Sequence, residues 1–412
     1  MKVLINAYAC SPTWGSEPGM AWNWIKELSK SCEVFVITEG EWREDIEKAL
    51  SLLPQRENLH FCYNPVSPEI RKMCWNQGDW RFYYYYRQWQ KKTLKMAEDI
   101  CSKNQIDIIH QLNMVGFREP GLLWKIKGPK YIWGPIGGMD NIPLAYLDTA
   151  TTKQKTFLRI KNLINTLQYK YQPNVKSGIN HSSVLIAAVK GVQDVLKKYH
   201  HRDSFLINET GCNIDFESPV RQTGYSDSSV LKILWVGRFI ETKKLDLALS
   251  VIASIKKLNI EFHICGTGSE QQVQRYKKIA VDLGVDKLCV WHGVVKHEQI
   301  QYMMAHSDLF FFTSVMEATS TVILEAISSC LPILCFNTCG FGPIVIPEIG
   351  RKIELSTPQQ SIVEFAKQIN DLYVHRYILD RMSQYELEYR KSLSWEYKAK
   401  QMIEIYDSVL QK

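Results

Sequence analysis

The residues best suited to chemistry lie in the second half of the chain. The stretch Glu317-Ala-Thr-Ser-Thr-Val-Ile-Leu-Glu325 sets two carboxylates eight positions apart, after the apolar run DLFFFTS. On one α-helix eight residues turn through about 800°, leaving the carboxylates about 80° apart. A better arrangement puts Glu317 before the helix and Glu325 within it, so that Ala318 to Thr321 form its N-terminus. The free N–H groups of that turn favour a phosphate. Glu325 alone reads equally as part of a solvated helix face. A second group is Gly237-Arg238 at the end of the run LKILWVGR, followed by Lys243 and Lys244. Arginine grips phosphate oxygens in a bidentate manner and lysine acts as a point charge, so these cations suit a phosphate group; a solvated basic loop is the alternative.

Other features are weaker. GTGSEQ, with Gly266, invites a dinucleotide reading, but the third glycine and the following acidic residue are missing. A strand-to-helix turn beside a nucleotide fits as well as a plain tight turn. His110 ends the run IDIIHQL and reads either as a strand-end histidine at a cleft or as a satisfied structural one. The WGPIGG segment (133–138) reads as close ligand approach or as a turn, and Arg118 and Glu119 in GFREPG are candidates to touch an acceptor.

These residues need a scaffold that presents strand ends. The first half opens with VLINAYA, the loop WGSEPG containing Gly15 and Ser16, the amphipathic stretch MAWNWIKELSK and the run EVFVITEG. That order is strand, loop, helix, strand, the unit of a parallel sheet. From LKILWVGR onward, strand and helix patterns alternate again through EFHICGTG, LCVWHG, DLFFFTS and PILCF. The polar, aperiodic stretch 217–230 reads as a linker. The expectation is an α/β chain of two Rossmann-like, doubly wound domains, 1–218 and 228–391, with a terminal helix over 392–412 after a break near Ser392 to Ser394. Ligands would bind beyond the carboxyl ends of the strands, in the cleft between the domains.

Composition agrees with two globular domains. The chain has 412 residues, 45% hydrophobic and 23% charged, which excludes a disordered chain. A net charge of +7 suits an anionic ligand or surface and is too modest for a nucleic-acid binder. Eleven cysteines, several in apolar runs, read as reduced and buried; Cys330, Cys335 and Cys339 lack the paired spacing of a zinc site. No metal is expected. The opening MKVLINAYACSP is too quickly polar for a signal peptide, and no run of about 20 apolar residues exists, so a cytoplasmic protein is expected.

GRFIETKKLDLAL, FHICGTGSEQ and EATSTVILEA, in that order, resemble the C-terminal domain of the GT-B glycosyltransferases of family 4, the glycosyl transferases group 1. The loop after the first strand, the turn ETGCNID and the closing SLSWEYKAKQMIEIY extend the resemblance over nearly the whole chain. It implies a retaining, metal-independent transferase of hexosyl type that needs no cofactor and takes a nucleotide-sugar as substrate. Arg238 and Lys243 would bind the donor diphosphate, Glu317 the donor sugar, the amides near Ser320 and Thr321 the phosphates, and Glu325 the ribose. Gly15 and Ser16 would approach the donor or acceptor from the other domain, and His110 would face the sugar. The terminal helix would cross back to the N-terminal, acceptor-side domain. One departure is Ala318-Thr319, where the family commonly has Gly-Phe. Two other readings remain: a GT-B nucleotide-sugar epimerase, for whose acid and base carboxylates no candidates are found, and a non-catalytic nucleotide-sugar-binding scaffold.

Residues 149–193 hold no Asp or Glu, yet include Lys153, Lys155, Arg159, Lys161, Lys170, Lys176 and Lys190. Phe157, Leu158, Ile160, Leu163, Ile164 and Leu167 fall among them at helical spacing. A basic amphipathic helix over 153–176 suits an anionic membrane surface, and a lipid-linked or glycan acceptor, as in surface polysaccharide synthesis, would follow; a solvated face is the alternative. The run WRFYYYYRQWQKK reads first as core and second as an aromatic platform for headgroups or sugars.

Overall fold

The computed structural model describes residues 1–76, 79–147, 151–214, 220–221, 230–317 and 320–411. Most of the expected linker, and the pair Ala318-Thr319, lie outside these residues. The chain divides into two compact units: unit 1 holds 1–140, 164–211 and 395–412, and unit 2 holds 141–163 and 212–394.

In unit 1, strands β1 (Lys2–Ala7), β2 (Glu33–Thr38), β3 (Leu59–Tyr63), β4 (Ile108–Asn113), β5 (Lys130–Ile136), β6 (Val184–Ala187) and β7 (Phe205–Leu206) form one sheet, in the order β3-β2-β1-β4-β5-β6-β7. Its pairings are parallel. Helices α1 (Ser16–Leu28), α2 (Arg43–Leu50), α3 (Pro68–Trp75), α4 (Arg81–Lys103), α5 (Thr152–Tyr171), α6 (Pro173–His181) and α7 (Lys190–His200) follow in chain order, and the division between the units falls within α5. Both faces of the sheet are covered, which is why its strands are near-continuous apolar runs. One core joins Val3, Ile5, Val34 and Ile108 to α1; the other joins Leu4, Ile37, Ile109 and Trp133 to α4, α6 and α7.

Unit 2 repeats the plan. Strands β8 (Leu231–Val236), β9 (Ile260–Cys265), β10 (Cys289–Gly293), β11 (Leu309–Phe312), β12 (Ile333–Phe336) and β13 (Gly350–Ile353) lie in the order β10-β9-β8-β11-β12-β13, again parallel. Helices α8 (Leu245–Ser254), α9 (Glu270–Asp282), α10 (His297–Ala305), α11 (Thr321–Ser328), α12 (Pro358–Val374) and α13 (Tyr377–Ser392) flank them, and α14 (Trp395–Leu410) closes the chain.

In α4, Phe82, Tyr86, Trp89 and Thr93 repeat at helical spacing and are buried, while Tyr83, Tyr84 and Tyr85 stay exposed. The aromatic run is thus core on one face and surface on the other. Helix α14 packs on α1 within unit 1, with the Trp395 ring edge-on to Trp24 at 6.0 Å.

The division differs from the sequence expectation: the main part of unit 2 begins at Cys212 rather than after 218, and two further segments depart from it. Residues 141–163 group with unit 2 because Tyr146 is buried there: its ring meets Phe336 edge-on at 5.4 Å and its hydroxyl pairs with Ser361 Oγ at 2.7 Å. Arg221, inside the expected linker, is buried in unit 2; its guanidinium donates to Ser383 Oγ (2.7 Å) and Asp380 (3.2 Å).

Candidate active site

In unit 2 the strand order reverses between β8 and β11, and the loops after these two strands carry the residues singled out above. Such a switch point opens a crevice at the carboxyl edge of the sheet. Arg238 follows β8 and is exposed, with no side-chain partner among the described residues. Lys243 ends a short 3-10 turn over Glu241–Lys243 and forms an ion pair with Glu317, which arrives from the loop after β11. The Lys243 ammonium also lies over the Phe312 ring, 4.9 Å from its centre. Glu317 is held from two further directions: Ser314 Oγ donates to its carboxylate at 2.8 Å and its backbone N–H points to Cys339 Sγ at 3.1 Å.

The two loops are tied through Thr313. Trp235 Nε1 donates to Thr313 Oγ1 at 3.0 Å, and that hydroxyl is shared between the carbonyls of Lys243 (2.8 Å) and Lys244 (3.0 Å). Val315 N–H adds a bond to Thr242 O at 2.9 Å. Lys244 has a different task from Lys243: it takes the left-handed conformation (φ +49°), is 1% exposed and bonds Asp246 at 2.8 Å.

Ser320, buried, is the N-cap of α11, and its own side chain makes no capping hydrogen bond. Thr321 begins it, exposed, so the first-turn N–H groups open on the edge that carries Glu317. Glu325, one turn on, is raised above the usual carboxylate range by burial, and His297 at 3.9 Å opposes the rise. Gly266 closes the edge from β9. Its φ is +132°, and a Cβ there would stand 1.9 Å from Gly237 O, so glycine is required for β8 and β9 to approach. The following helix α9 is capped by Ser269 in a capping box with Gln272, so its N-terminus is already satisfied.

In unit 1, Gly15 and Ser16 are exposed at the start of α1, after β1. Glu17 accepts the Val115 N–H, and burial raises its carboxyl. His110 is not at a ligand face. It is fully buried, with Nδ1 on the Tyr406 hydroxyl (2.6 Å) and Nε2 on Gly134 O (2.7 Å). Burial lowers its pKa to about 4, which keeps the ring neutral and structural. Arg118 lies against α5, bonding Gln168 at 2.7 Å and Asn165. Glu119 is held by Arg87 and lines a cavity of about 460 Å³ with Gln90, Gln172 and Asn174. Among the described residues no three His, Cys, Asp or Glu gather as metal ligands.

Comparison with known proteins shows what the arrangement is similar to. Residues 221–388 match the family model described as glycosyl transferases group 1. The match covers less than half of the chain, and over those residues the chain is similar to that family. Residues Arg238, Lys243, Glu317 and Glu325 all fall inside the matched segment.

A phosphatidylinositol N-acetylglucosaminyltransferase subunit of Saccharomyces cerevisiae is 23% identical over 186 residues, covering 43% of this chain and 38% of the relative. The match thus spans less than half the length of that relative. A glycosyltransferase from Rickettsia africae shares the fold with a TM-score of 0.66 at 16% identity, covering 100% of this chain and 99% of that one. The Anabaena protein HepE in complex with UDP does so with a TM-score of 0.62 at 14% identity, covering 99% and 100%. The chain therefore has the two-domain GT-B fold.

Sequence reasoning missed Ser314, Phe312, Cys339 and His297 around the Glu317 and Glu325 carboxylates. Ser314 and Phe312 lie in the DLFFFTS run next to Glu317 and were open to inspection. Cys339 and His297 reach the site only through tertiary packing.

Proposed function

We propose that the protein is a retaining, metal-independent glycosyltransferase that binds the donor diphosphate at the carboxyl edge of β8 and β11. The Lys243–Glu317 pair carries this reading: a cation and a carboxylate are fixed together where the strand order reverses, beside a helix start that its N-cap side chain leaves uncapped. Arg238 and Lys243 stabilise the charge that grows on the leaving diphosphate; one such preorganised donor contributes about 3 to 4 kcal/mol. Glu317 keeps acceptor capacity for sugar hydroxyls, the amides at Ser320 and Thr321 hold phosphate oxygens, and Glu325 takes the ribose. The bond from the sugar C1 to the diphosphate breaks with its electron pair on phosphate. The acceptor hydroxyl attacks the same face, and its proton passes to the departing phosphate oxygen. The UDP in the HepE complex supports a uridine nucleotide as the donor base.

The acceptor is a glycan or a lipid-linked glycan, as in surface polysaccharide synthesis. The surface of α5 supports a lipid setting. Phe157, Ile160, Ile164, Leu167 and Tyr171 form one exposed stripe, each at least 48% accessible, while Asn165 and Tyr169 face inward. Lys153, Lys155, Arg159 and Lys161 flank the stripe, so α5 lies on an anionic membrane surface. Among the described residues no helix is long and apolar enough to cross a membrane.

The deciding experiment titrates UDP-, GDP-, ADP- and dTDP-sugars by thermal shift, without added metal, against the wild type and Arg238→Ala. A donor at 100 times its Kd adds about 2.7 kcal/mol of stability. One donor class should stabilise the wild type and not the variant. An equal response in both, or none, would remove the phosphate site.

A further inference from the structure

The carboxyl edge of unit 1 carries tryptophans that the donor reading leaves unused. Trp14 lies in the loop after β1, Trp42 precedes α2 in the loop after β2, and Trp75 ends α3 after β3. These three strands are neighbours, so their loops meet at one edge of the sheet. Trp14 stands 6.0 Å from Trp42 and 5.5 Å from Trp75, centre to centre, and Trp42 stands 5.5 Å from Trp75.

Trp14 is 56% exposed and Trp75 44%, whereas Trp24, Trp89, Trp133 and Trp235 are buried in the cores. Trp75 is also fixed in orientation, since its Nε1 donates to both oxygens of Glu41 at 3.2 and 3.0 Å. That carboxylate keeps lone pairs for a further donor. Beneath the edge, Tyr8 is 4% exposed and its hydroxyl has no hydrogen-bond partner among the described residues.

We propose that this edge is a saccharide platform, on which Trp14 and Trp75 stack against the C–H faces of a sugar ring of the acceptor glycan while Glu41 accepts one of its hydroxyls. Indole rings present broad rigid faces at low entropic cost and suit a ligand with one apolar face and a polar rim. The local charge favours a polyhydroxyl ligand over an anionic surface: Glu41, Glu44 and Asp45 bracket Trp42, and Arg43 is drawn onto the Tyr63 ring at 4.7 Å. The platform stands next to Gly15 and Ser16, at the edge where parallel sheets bind ligands.

The proposal rests on the transferase reading, and its test separates the two. The full-length protein, labelled, is applied to an array of mono- to hexasaccharides alongside Trp14→Ala/Trp75→Ala and Trp14→Phe/Trp75→Phe. The wild type should retain one saccharide class, the alanine variant should lose about tenfold or more in affinity, and the phenylalanine variant should recover most of it. Both rings are substantially exposed, and circular dichroism melting of each variant checks that it is folded. Array binding that ignores the tryptophans, or no array binding, overturns the platform. Loss of sedimentation with phosphatidylglycerol vesicles in the alanine variant, with saccharide binding intact, overturns it in favour of lipid. Donor thermal shift, measured on the wild type alone, reports on the transferase reading whatever the array shows.

Discussion

Lys243 and Glu317 form an ion pair across the loops that follow β8 and β11, with Thr313 fastening one loop to the other. The lysine is only 11% exposed in its side chain and the glutamate 19%, so the pair is partly withdrawn from water. Each is also held elsewhere, Lys243 over Phe312 and Glu317 by Ser314. The cation is therefore fixed in place by the fold itself.

Lys243→Ala should lower kcat by about 10² to 10³, the effect of removing one preorganised charge donor at a leaving group. Donor binding by thermal shift should weaken in parallel. Lys243→Arg should recover part of both, since the charge returns with a different geometry. Wild-type kcat in the alanine variant would show that the pair is structural only.

Gly266→Ala should destabilise the protein by about 3 kcal/mol or more, because a positive φ and a carbonyl collision act together. Relief would require β8 and β9 to part. Gly15→Ala is the control: its φ is −80° and nothing lies within 4 Å of the added carbon, so stability should stay within about 0.5 kcal/mol. Thermal melts of the two variants compare them directly.

The neutral His110 ring predicts a pH dependence of stability. Its folded pKa, about 4, lies below the unfolded value of about 6.5, so the unfolded chain takes up the proton first as pH falls. The contribution is complete above pH of about 6.5 and is lost on the way to about 4, amounting to about 3 kcal/mol. Melting temperatures from pH 7 to 4 should fall less steeply for His110→Gln than for the wild type, although the variant starts from a lower value. An identical slope would mean that the ring titrates in the fold.

Reversing Lys153, Lys155, Arg159 and Lys161 to glutamate should abolish sedimentation with phosphatidylglycerol vesicles, since each cation contributes about 1 kcal/mol at an anionic surface. Replacing Phe157, Ile160, Ile164 and Leu167 by serine should weaken binding even at low salt. Neither set should lower the melting temperature much, because all of these side chains except the half-buried Lys155 already face solvent. Retention on the vesicles in both sets would leave α5 a solvated face.

Local order was largely legible in the sequence. Strands buried on both faces must be apolar throughout, and helices must repeat at about 3.6 residues, so β8, β9, β11 and β12 and the helices between them could be read directly from the sequence. The break before α14 was visible at Ser392 to Ser394 for the same reason. Placement depended on the tertiary structure. His110 sits at a strand end like a ligand-facing residue, yet Tyr406 and Gly134 enclose it, and neither is near it in sequence. Adjacent lysines cannot be told apart in a linear pattern; the left-handed turn at Lys244 buries one and points the other at Glu317. Helix α5 has the spacing of an ordinary core helix, and only packing decided that its apolar stripe faces outward. The amino-acid sequence determines periodicity and chemical inventory because these are local; which side chains meet depends on contacts between distant segments, and only the packed structure determines it.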